Sequence, residues 1–366
     1  MDVNKVILKV FFYYSMALGV TSLRMVKDTF QSSSWTRIYV LVVNILIGLF
    51  LVIYIWTSGS LNIYLSTLPP LVLETFNVRH FLSLFIVFYT ALSRLFRDIA
   101  LKEVHPLLRR LIGKKARKRT QMNKALTTVF YAKCLTLSWL CIVDSAFLFL
   151  ARGPMDWKDV FMFVFLWNAN NILHILPMGY FLVLWFISRG YDYVNHLVDK
   201  LIRAPVVDLE ELQCLWSFHS ALSKAVRRVN RIYGPQMLAI RFETFIFGVI
   251  QAYWGIFFSF GAKVPKAWLV YGSFSYIFRL VDAFLIDYMS ELLVKYQNST
   301  KDSWSETNWR RETSDFVIYS NTSKLELWTC GLYKNNRSLW LQMTFSVFNY
   351  FLVLLQFHLV LGKSSL

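Results

Sequence analysis

Charged residues are scarce in this sequence: Asp, Glu, Lys and Arg make up 17% of its 366 residues, against roughly 25% in soluble domains. Hydrophobic residues reach 56% and aromatic residues 17%. One core of this size could not bury that much apolar surface, so lipid must be the solvent for part of it. The composition excludes an ordinary soluble globular protein and predicts a membrane protein with several spans.

Cysteines are also few, and the motifs of common enzymes are missing. Cys134, Cys141, Cys214 and Cys330 show neither metal-ligand spacing nor a paired pattern. The sequence has no nucleotide-binding glycine loop, no His-Glu-x-x-His and no nucleophile elbow. We therefore expect no disulfide scaffold, no metal, no cofactor, no catalytic residue and no enzymatic activity.

Seven apolar segments are long enough to cross a bilayer, for which about 20 helical residues are needed. These segments are Ile38–Trp56, His80–Phe96, Phe130–Leu150, Val160–Ile187, Leu238–Phe260, Trp268–Met289 and Leu339–Leu361. Residues 3–23 precede them and are expected to form a retained interfacial helix. The loop between the fourth and fifth segments has leucines at near-helical spacing, which predicts that both helices continue beyond the membrane. The fold class is therefore all-α.

Lys and Arg are distributed unevenly over the connecting segments. The N-terminal segment and the second, fourth and sixth loops hold 29 of them, and the other connections and the C-terminal tail hold 6. Because basic residues accumulate on the cytoplasmic side, this predicts a cytoplasmic N-terminus and an extracellular C-terminus. The accumulation of Lys and Arg in cytoplasmic segments also explains the net charge of +17. Nucleic acid is therefore not expected as a partner. One observation opposes this orientation. The sixth loop carries glycosylation-type sequons at Asn298, Asn321 and Asn336, which would be meaningful only if that loop were luminal.

Six ionisable residues are predicted at membrane depth, where charge is costly unless it faces protein or water. Arg279 and Asp282, three residues apart on one helix, are expected to form an ion pair. Lining a watery cavity is the alternative for this group. The six residues are Asp144, Arg241, Glu243, Arg279, Asp282 and Asp287.

The last apolar segment contains Gln356, whose amide is a poor neighbour for lipid. Val353 and Phe357 share its helix face at helical spacing. If several copies of this helix surround an axis, that face would form an apolar constriction flanked by amides, which is the description of a hydrophobic gate. The alternative is a glutamine hydrogen-bonded within a packed bundle.

The end of the chain resembles the insect gustatory receptor family, part of the insect chemoreceptor group. Tyr350, five apolar residues and Gln356-Phe357 match the family hallmark, with Asn349 in place of its threonine. Upstream, residues 330–333 (Cys-Gly-Leu-Tyr) and 336–339 (Asn-Arg-Ser-Leu) are similar to the segment before the family's last helix. Seven spans, short outer loops and the chain length fit the same family.

The resemblance implies a ligand-gated, non-selective cation channel that works without a G protein. It further implies a homo- or heterotetramer in the plasma membrane, in a sensory neuron, opened by a small organic tastant that is aversive rather than a sugar. By resemblance, Val353, Gln356 and Phe357 form the gate of a pore, and residues 315–338 contain a cytoplasmic helix of the anchor that joins subunits. Three regions follow: residues 1–289 for ligand sensing, 290–338 for the loop and anchor helix, and 339–366 for the pore helix and extracellular tail.

The family pocket has no motif, so its residues are predicted here from depth and polarity. Aromatic walls with a few hydrogen-bonding groups suit small organic ligands. The candidates in the outer halves of the helices are Trp139, Asp144, Trp167, Asn168, Asn171, Gln251, Trp254, Tyr271 and Tyr276.

A seven-helix G-protein-coupled receptor for a small molecule is the alternative function. The charge distribution opposes it, as does the lack of Asp-Arg-Tyr after the third span and of Asn-Pro-x-x-Tyr in the seventh. A transporter would be expected to show paired halves or matching broken helices, and Pro177 is the only clear break in the spans.

Overall fold

The computed structural model describes most of the helical chain. It covers residues 3–26, 29–57, 123–150, 157–202, 208–260, 266–305 and 325–363, and residues 78, 81, 82, 84–94, 96–99, 101 and 106. In chain order the elements are α1 (Val3–Ala17), β1 (Arg24–Val26), β2 (Thr29–Gln31), α2 (Ser34–Thr57), α3 (Leu84–Arg94), α4 (Lys124–Leu150), α5 (Trp157–Ile202), α6 (Leu209–Phe260), α7 (Lys266–Ser305), β3 (Trp328–Thr329), β4 (Tyr333–Lys334) and α8 (Arg337–Lys363).

Helix starts follow the local capping chemistry. At α6, Asp208 Oδ1 accepts hydrogen bonds from the backbone N–H groups of Glu210 and Glu211 at 3.0 and 3.2 Å. At α8, Asn336 Oδ1 accepts one from the N–H of Leu339 at 2.9 Å. Both side chains satisfy backbone donors that a helix leaves unpaired at its N-terminus. Asn336 therefore has a structural role that is independent of any glycosylation signal.

The first helix is shorter than predicted, because α1 ends at Ala17 and not near residue 23. Gly19 takes a φ of +80°, the left-handed conformation that commonly terminates helices. A side chain there would also collide with Asn44, whose Oδ1 would lie 2.8 Å from an added Cβ. The chain then pairs β1 with β2 in an antiparallel hairpin, so the all-α expectation needs correction to a mostly helical fold with short hairpins.

The helix α5 lies at the centre of the molecule, packed against α4, α6 and α7. In its apolar stretch Trp167–Leu201, 94% of the residues in the most apolar 18-residue part are buried. The indole of Trp185 is fully buried, donates to the carbonyl of Leu126 at 2.9 Å and stacks on Phe130 at 4.5 Å. The predicted continuation of the fourth and fifth helices is confirmed, since α5 extends to Ile202 through Pro177, and α6 begins at Leu209.

Two apolar helices lie at the periphery and expose large side chains. In the apolar stretch Arg337–Phe357 of α8, only 17% of the residues in the most apolar 18-residue part are buried. On α2, the exposed hydrophobic residues include Trp35, Ile38, Tyr39, Leu41, Val42, Ile45, Leu46, Leu49 and Ile53. Exposed apolar surface of this extent marks contact with lipid or with other protein chains.

Three described segments are long and apolar enough to cross a membrane: Lys124–Val143, Trp167–Leu201 and Arg337–Phe357. Two shorter apolar segments, Ser34–Phe50 and Leu84–Arg94, coincide with the first and second predicted spans. The fifth and sixth predicted spans lie within α6 and α7. The total of seven spans stays a prediction.

The anchor helix expected within residues 315–338 is not formed in the described part of that range. Residues 315–324 lie outside the described residues, and β3 pairs antiparallel with β4 in a hairpin just before α8. Cys330 and Gly331 take φ values of 51° and 73°, as the central residues of a type I′ hairpin turn do. The region boundaries at 289 and 338 stay predictions, although α7 runs past the first of them to Ser305.

Candidate functional site

Buried ion pairs connect the helices that support α8. Lys133 Nζ on α4 lies 2.6 Å from Asp282 Oδ1 on α7, and Lys133 is fully buried. The hydroxyl of Thr136 also donates to Asp282 Oδ1, at 2.9 Å. A buried charge is tolerated when it is paired and hydrogen-bonded in this way.

Two further pairs join α6 to α7. Arg241 binds Asp287, which is fully buried, and Arg279 Nη1 lies 3.5 Å from Glu243 Oε1. The predicted pair of Arg279 with Asp282 is therefore wrong: each residue pairs with a different helix. The ion pairs between helices are shielded from water. Their electrostatic attraction is therefore stronger than that of an ion pair along the surface of one helix.

The start of α8 and the preceding hairpin are fixed to this cluster. The guanidinium of Arg241 lies 6.0 Å from the ring centre of Tyr333 on β4 and contacts Met343 Sδ on α8 at 3.9 Å. Burial raises the pKa of the Tyr333 phenol. On the outer side, Arg337 Nη2 and Nε donate to the carboxylate of Glu291 at 2.6 and 2.8 Å, which lowers the pKa of that carboxyl.

The helix α8 has two distinct faces. Met343, Val347 and Phe351 are buried at four-residue intervals, on the side that packs against α6 and α7. The predicted gate face is exposed in the single chain: Val353 by 43% and Phe357 by 57%, with Gln356 beside them. Tyr350 is also exposed, although its ring edge contacts Phe245. An amide and two large apolar groups are thus presented together without cover from this chain.

The predicted pocket residues separate into different contacts. Trp139 stacks on Phe278 of α7 at 4.8 Å. Trp167 Nε1 donates to Ser145 Oγ on α4 at 2.6 Å, and Asn171 Oδ1 accepts from the hydroxyl of Tyr14 on α1 at 2.8 Å.

The remaining pocket candidates add little to a common site. Asn168 and Gln251 are half-buried. The side chains of Asp144, Trp254 and Tyr271 lie outside the described part of the structure. One cavity among the described residues is lined by none of the nine candidates and lies between α1, the end of the second predicted span, α5 and α6.

Tyr276 lies close to Gly248 of α6, beside α8, which its sequence position did not reveal. A Cβ placed on Gly248 of α6 would lie 3.2 Å from Tyr276 Cε2 and 3.2 Å from both γ-carbons of Val347 on α8. The absence of a side chain at Gly248 therefore lets Tyr276 of α7 and Val347 of α8 both pack closely against α6 at this point. The only signal for this contact in the sequence was a glycine within an apolar helix.

These features define a helical membrane protein whose last helix presents an exposed apolar face carrying an amide. The sequence profile of the 7tm Chemosensory receptor family matches residues 8–361, and the chain belongs to that family. The predicted resemblance to insect chemoreceptors is thereby confirmed.

Two kinds of relatives support this assignment. The chain is 43% identical over 277 residues, 74% of its length, to the putative gustatory receptor 59b of Drosophila erecta. It spans about half of that relative's length, 47%. Its fold is similar to the olfactory receptor OR5 of the insect Machilis hrabei, with a TM-score of 0.70 for the complex with eugenol and 0.69 for OR5 alone, each at 12% identity. These matches cover 96% and 97% of this chain and 98% of the OR5 chain. The relatives lend no support to the G-protein-coupled alternative.

Proposed function

We propose that this protein is a gustatory chemoreceptor subunit of a ligand-gated, non-selective cation channel in which α8 lines the pore. The observation that carries the proposal is the exposure of Val353, Gln356 and Phe357 on one face of an apolar helix. Lipid would accommodate the two apolar residues but leave the amide of Gln356 without hydrogen bonds. Copies of α8 around a central axis satisfy both requirements, since the amides meet water and the apolar groups form the constriction.

The proposed assembly is a homo- or heterotetramer. It would turn the α8 face that a single chain leaves exposed toward a common central axis. The ion pairs of α4, α6 and α7 would hold the other face of α8, so that a small shift of α7 moves the pore helix. The N-terminus lies in the cytoplasm and the C-terminus outside, with the receptor in the plasma membrane of a sensory neuron. This orientation rests on the distribution of Lys and Arg.

The ligand in this proposal is a small organic tastant bound among the outer halves of the helices. The aromatic contacts of Trp139 with Phe274 and Phe278 offer apolar ring surface for a small organic ligand, and the preference for an aversive compound over a sugar rests on the family resemblance. Tyr276 lies on the same helix as these two phenylalanines, and both Tyr276 and Val347 of α8 lie close to Gly248 of α6. In this proposal, ligand binding near α7 reaches α8 through the packing around Gly248.

The test measures currents from excised membrane patches that lack nucleotides and G proteins. Gln356→Ala and Phe357→Ala are expected to change basal leak or cation permeation while surface expression stays intact. Leu359→Ala is the matched control, because Leu359 is also 57% exposed but lies roughly 200° around the helix from Phe357. Traces equal to wild type in both gate variants would contradict the gate, and responses that require a G protein would favour the alternative receptor class.

A further inference from the structure

A cavity lies apart from the predicted tastant site, between the N-terminal helix and the centre of the molecule. Its walls are largely apolar, from Phe11 and Phe12 on α1 to Leu182 and Phe186 on α5, and Tyr233 of α6 lies on another side. Its volume, measured as the space open to the centres of water-sized molecules, is about 30 Å³. A single water needs about 10–15 Å³ by that measure, so this space takes the polar end of a small molecule, and the remaining atoms lie in the part of the pocket that opens to the outside.

The charged residues in the wall are already engaged. Arg97 Nη2 donates to the carbonyls of Val20 and Thr90 at 3.1 and 2.7 Å. Asp98 Oδ2 accepts from the N–H and the hydroxyl of Ser22 at 3.0 and 2.6 Å. The two residues carry opposite charges next to each other in the chain. A ligand would therefore meet no net charge, and the cavity favours a neutral molecule over an ion.

One polar group in the wall remains available. The side chain of Ser15 is 1% exposed, lines the cavity, and its hydroxyl has no hydrogen-bond partner among the residues that the structure describes. Burying a hydroxyl without a partner costs free energy. A ligand with one hydroxyl or carbonyl group would supply the missing hydrogen bond, while its apolar part contacts the phenylalanine and leucine side chains.

We propose that this cavity is a second binding site, for a small neutral amphipathic molecule of the short-chain alcohol class. The site does not depend on the proposed channel function. It also differs from the predicted tastant site, because none of the nine predicted tastant residues lines the cavity. The site is formed where α1 closes over α5.

The experiment uses the full-length protein in lipid nanodiscs and a diazirine-bearing butanol as a photoreactive probe. Mass spectrometry then locates the adducts. We expect adducts on α1, on residues 175–186 of α5 and at Tyr233, with competition by 1-butanol. Ser15→Ala removes one hydrogen bond to the ligand. The probe concentration that gives half-maximal labelling should therefore rise about two- to tenfold. Thermal stability of that variant should stay equal or rise, because the unpartnered hydroxyl is gone.

A cavity-filling substitution gives the second arm. An added Cβ at Gly179 would lie 3.7 Å from the Tyr233 hydroxyl, an ordinary contact, so Gly179→Ala is expected to fold and to reduce labelling. Gly48→Ala on α2 is the matched control, because an added Cβ there meets nothing within 4 Å. Labelling confined to the cavity and lowered in both cavity variants supports the site. Adducts spread over the lipid-facing helices, or equal labelling in Gly179→Ala and Gly48→Ala, would overturn it.

Discussion

Removing the carboxylate of Asp287 should destabilise the protein severely. Asp287 is fully buried and binds Arg241, so Asp287→Asn leaves a largely buried guanidinium without its counter-charge. Breaking a buried ion pair in this way costs about 3–5 kcal/mol, at least a hundredfold in the folding equilibrium. The hairpin and the start of α8 should loosen as well, because Tyr333 and Met343 both contact Arg241.

The assay is unfolding by SDS titration in mixed micelles, followed by tryptophan fluorescence. Glu326→Gln is the matched control, because its pair with Lys334 has a similar geometry, at 2.9 Å, but half-exposed side chains. An exposed pair is worth less than about 1 kcal/mol. The double variant Arg241→Met with Asp287→Leu should recover most of the loss, since no unpaired charge remains. If Asp287→Asn cost no more than Glu326→Gln, the reasoning about this buried pair would be refuted.

Three further predictions concern coupling, pH and topology. Gly248→Ala should alter the basal current measured by patch clamp, because the new methyl group would displace Val347 on α8. Gly255→Ala is the control and should leave the current unchanged, because an added Cβ there meets nothing within 4 Å. Equal currents in the two variants would count against coupling between α6 and α8 at Gly248. Burial lowers the pKa of His219 from 6.5 to about 4, so stability should fall as pH drops from about 6.5 to 4, by up to about 3 kcal/mol. Thermal denaturation of His219→Gln should lack that slope. Asn336 should carry no glycan, with an epitope tag hidden at the N-terminus and accessible at the C-terminus of intact cells; a glycan at Asn336 would reverse the orientation.

The long helices were predictable because hydrophobic length is a local property of the sequence. The N-terminal helix was predicted to be too long. Its end depends on the left-handed conformation of Gly19, which composition does not reveal. The hairpin before α8 was missed, although the Cys330-Gly331 pair was a turn signal. A helix was expected there from resemblance alone.

The site was predicted unevenly for a similar reason. The gate face followed from the spacing of Val353, Gln356 and Phe357 on one helix. The ion pairs could not be predicted from spacing. Arg279 and Asp282 are close in sequence, but their partners, Glu243 and Lys133, lie on other helices. The cavity was equally hidden, since its walls come from four separate parts of the chain.

The most direct test of the central claim asks whether the exposed face of α8 meets water or lipid. Cysteines are introduced at Phe357 on α8 and at Ile45 on α2, which are 57% and 53% exposed in the single chain. The background carries Cys214→Ser and Cys330→Ser, which remove the exposed free thiols. A pore predicts that a charged, membrane-impermeant methanethiosulfonate changes the current of Phe357→Cys but not of Ile45→Cys. If Phe357→Cys were as unreactive as Ile45→Cys, α8 would face lipid and the channel proposal would be contradicted.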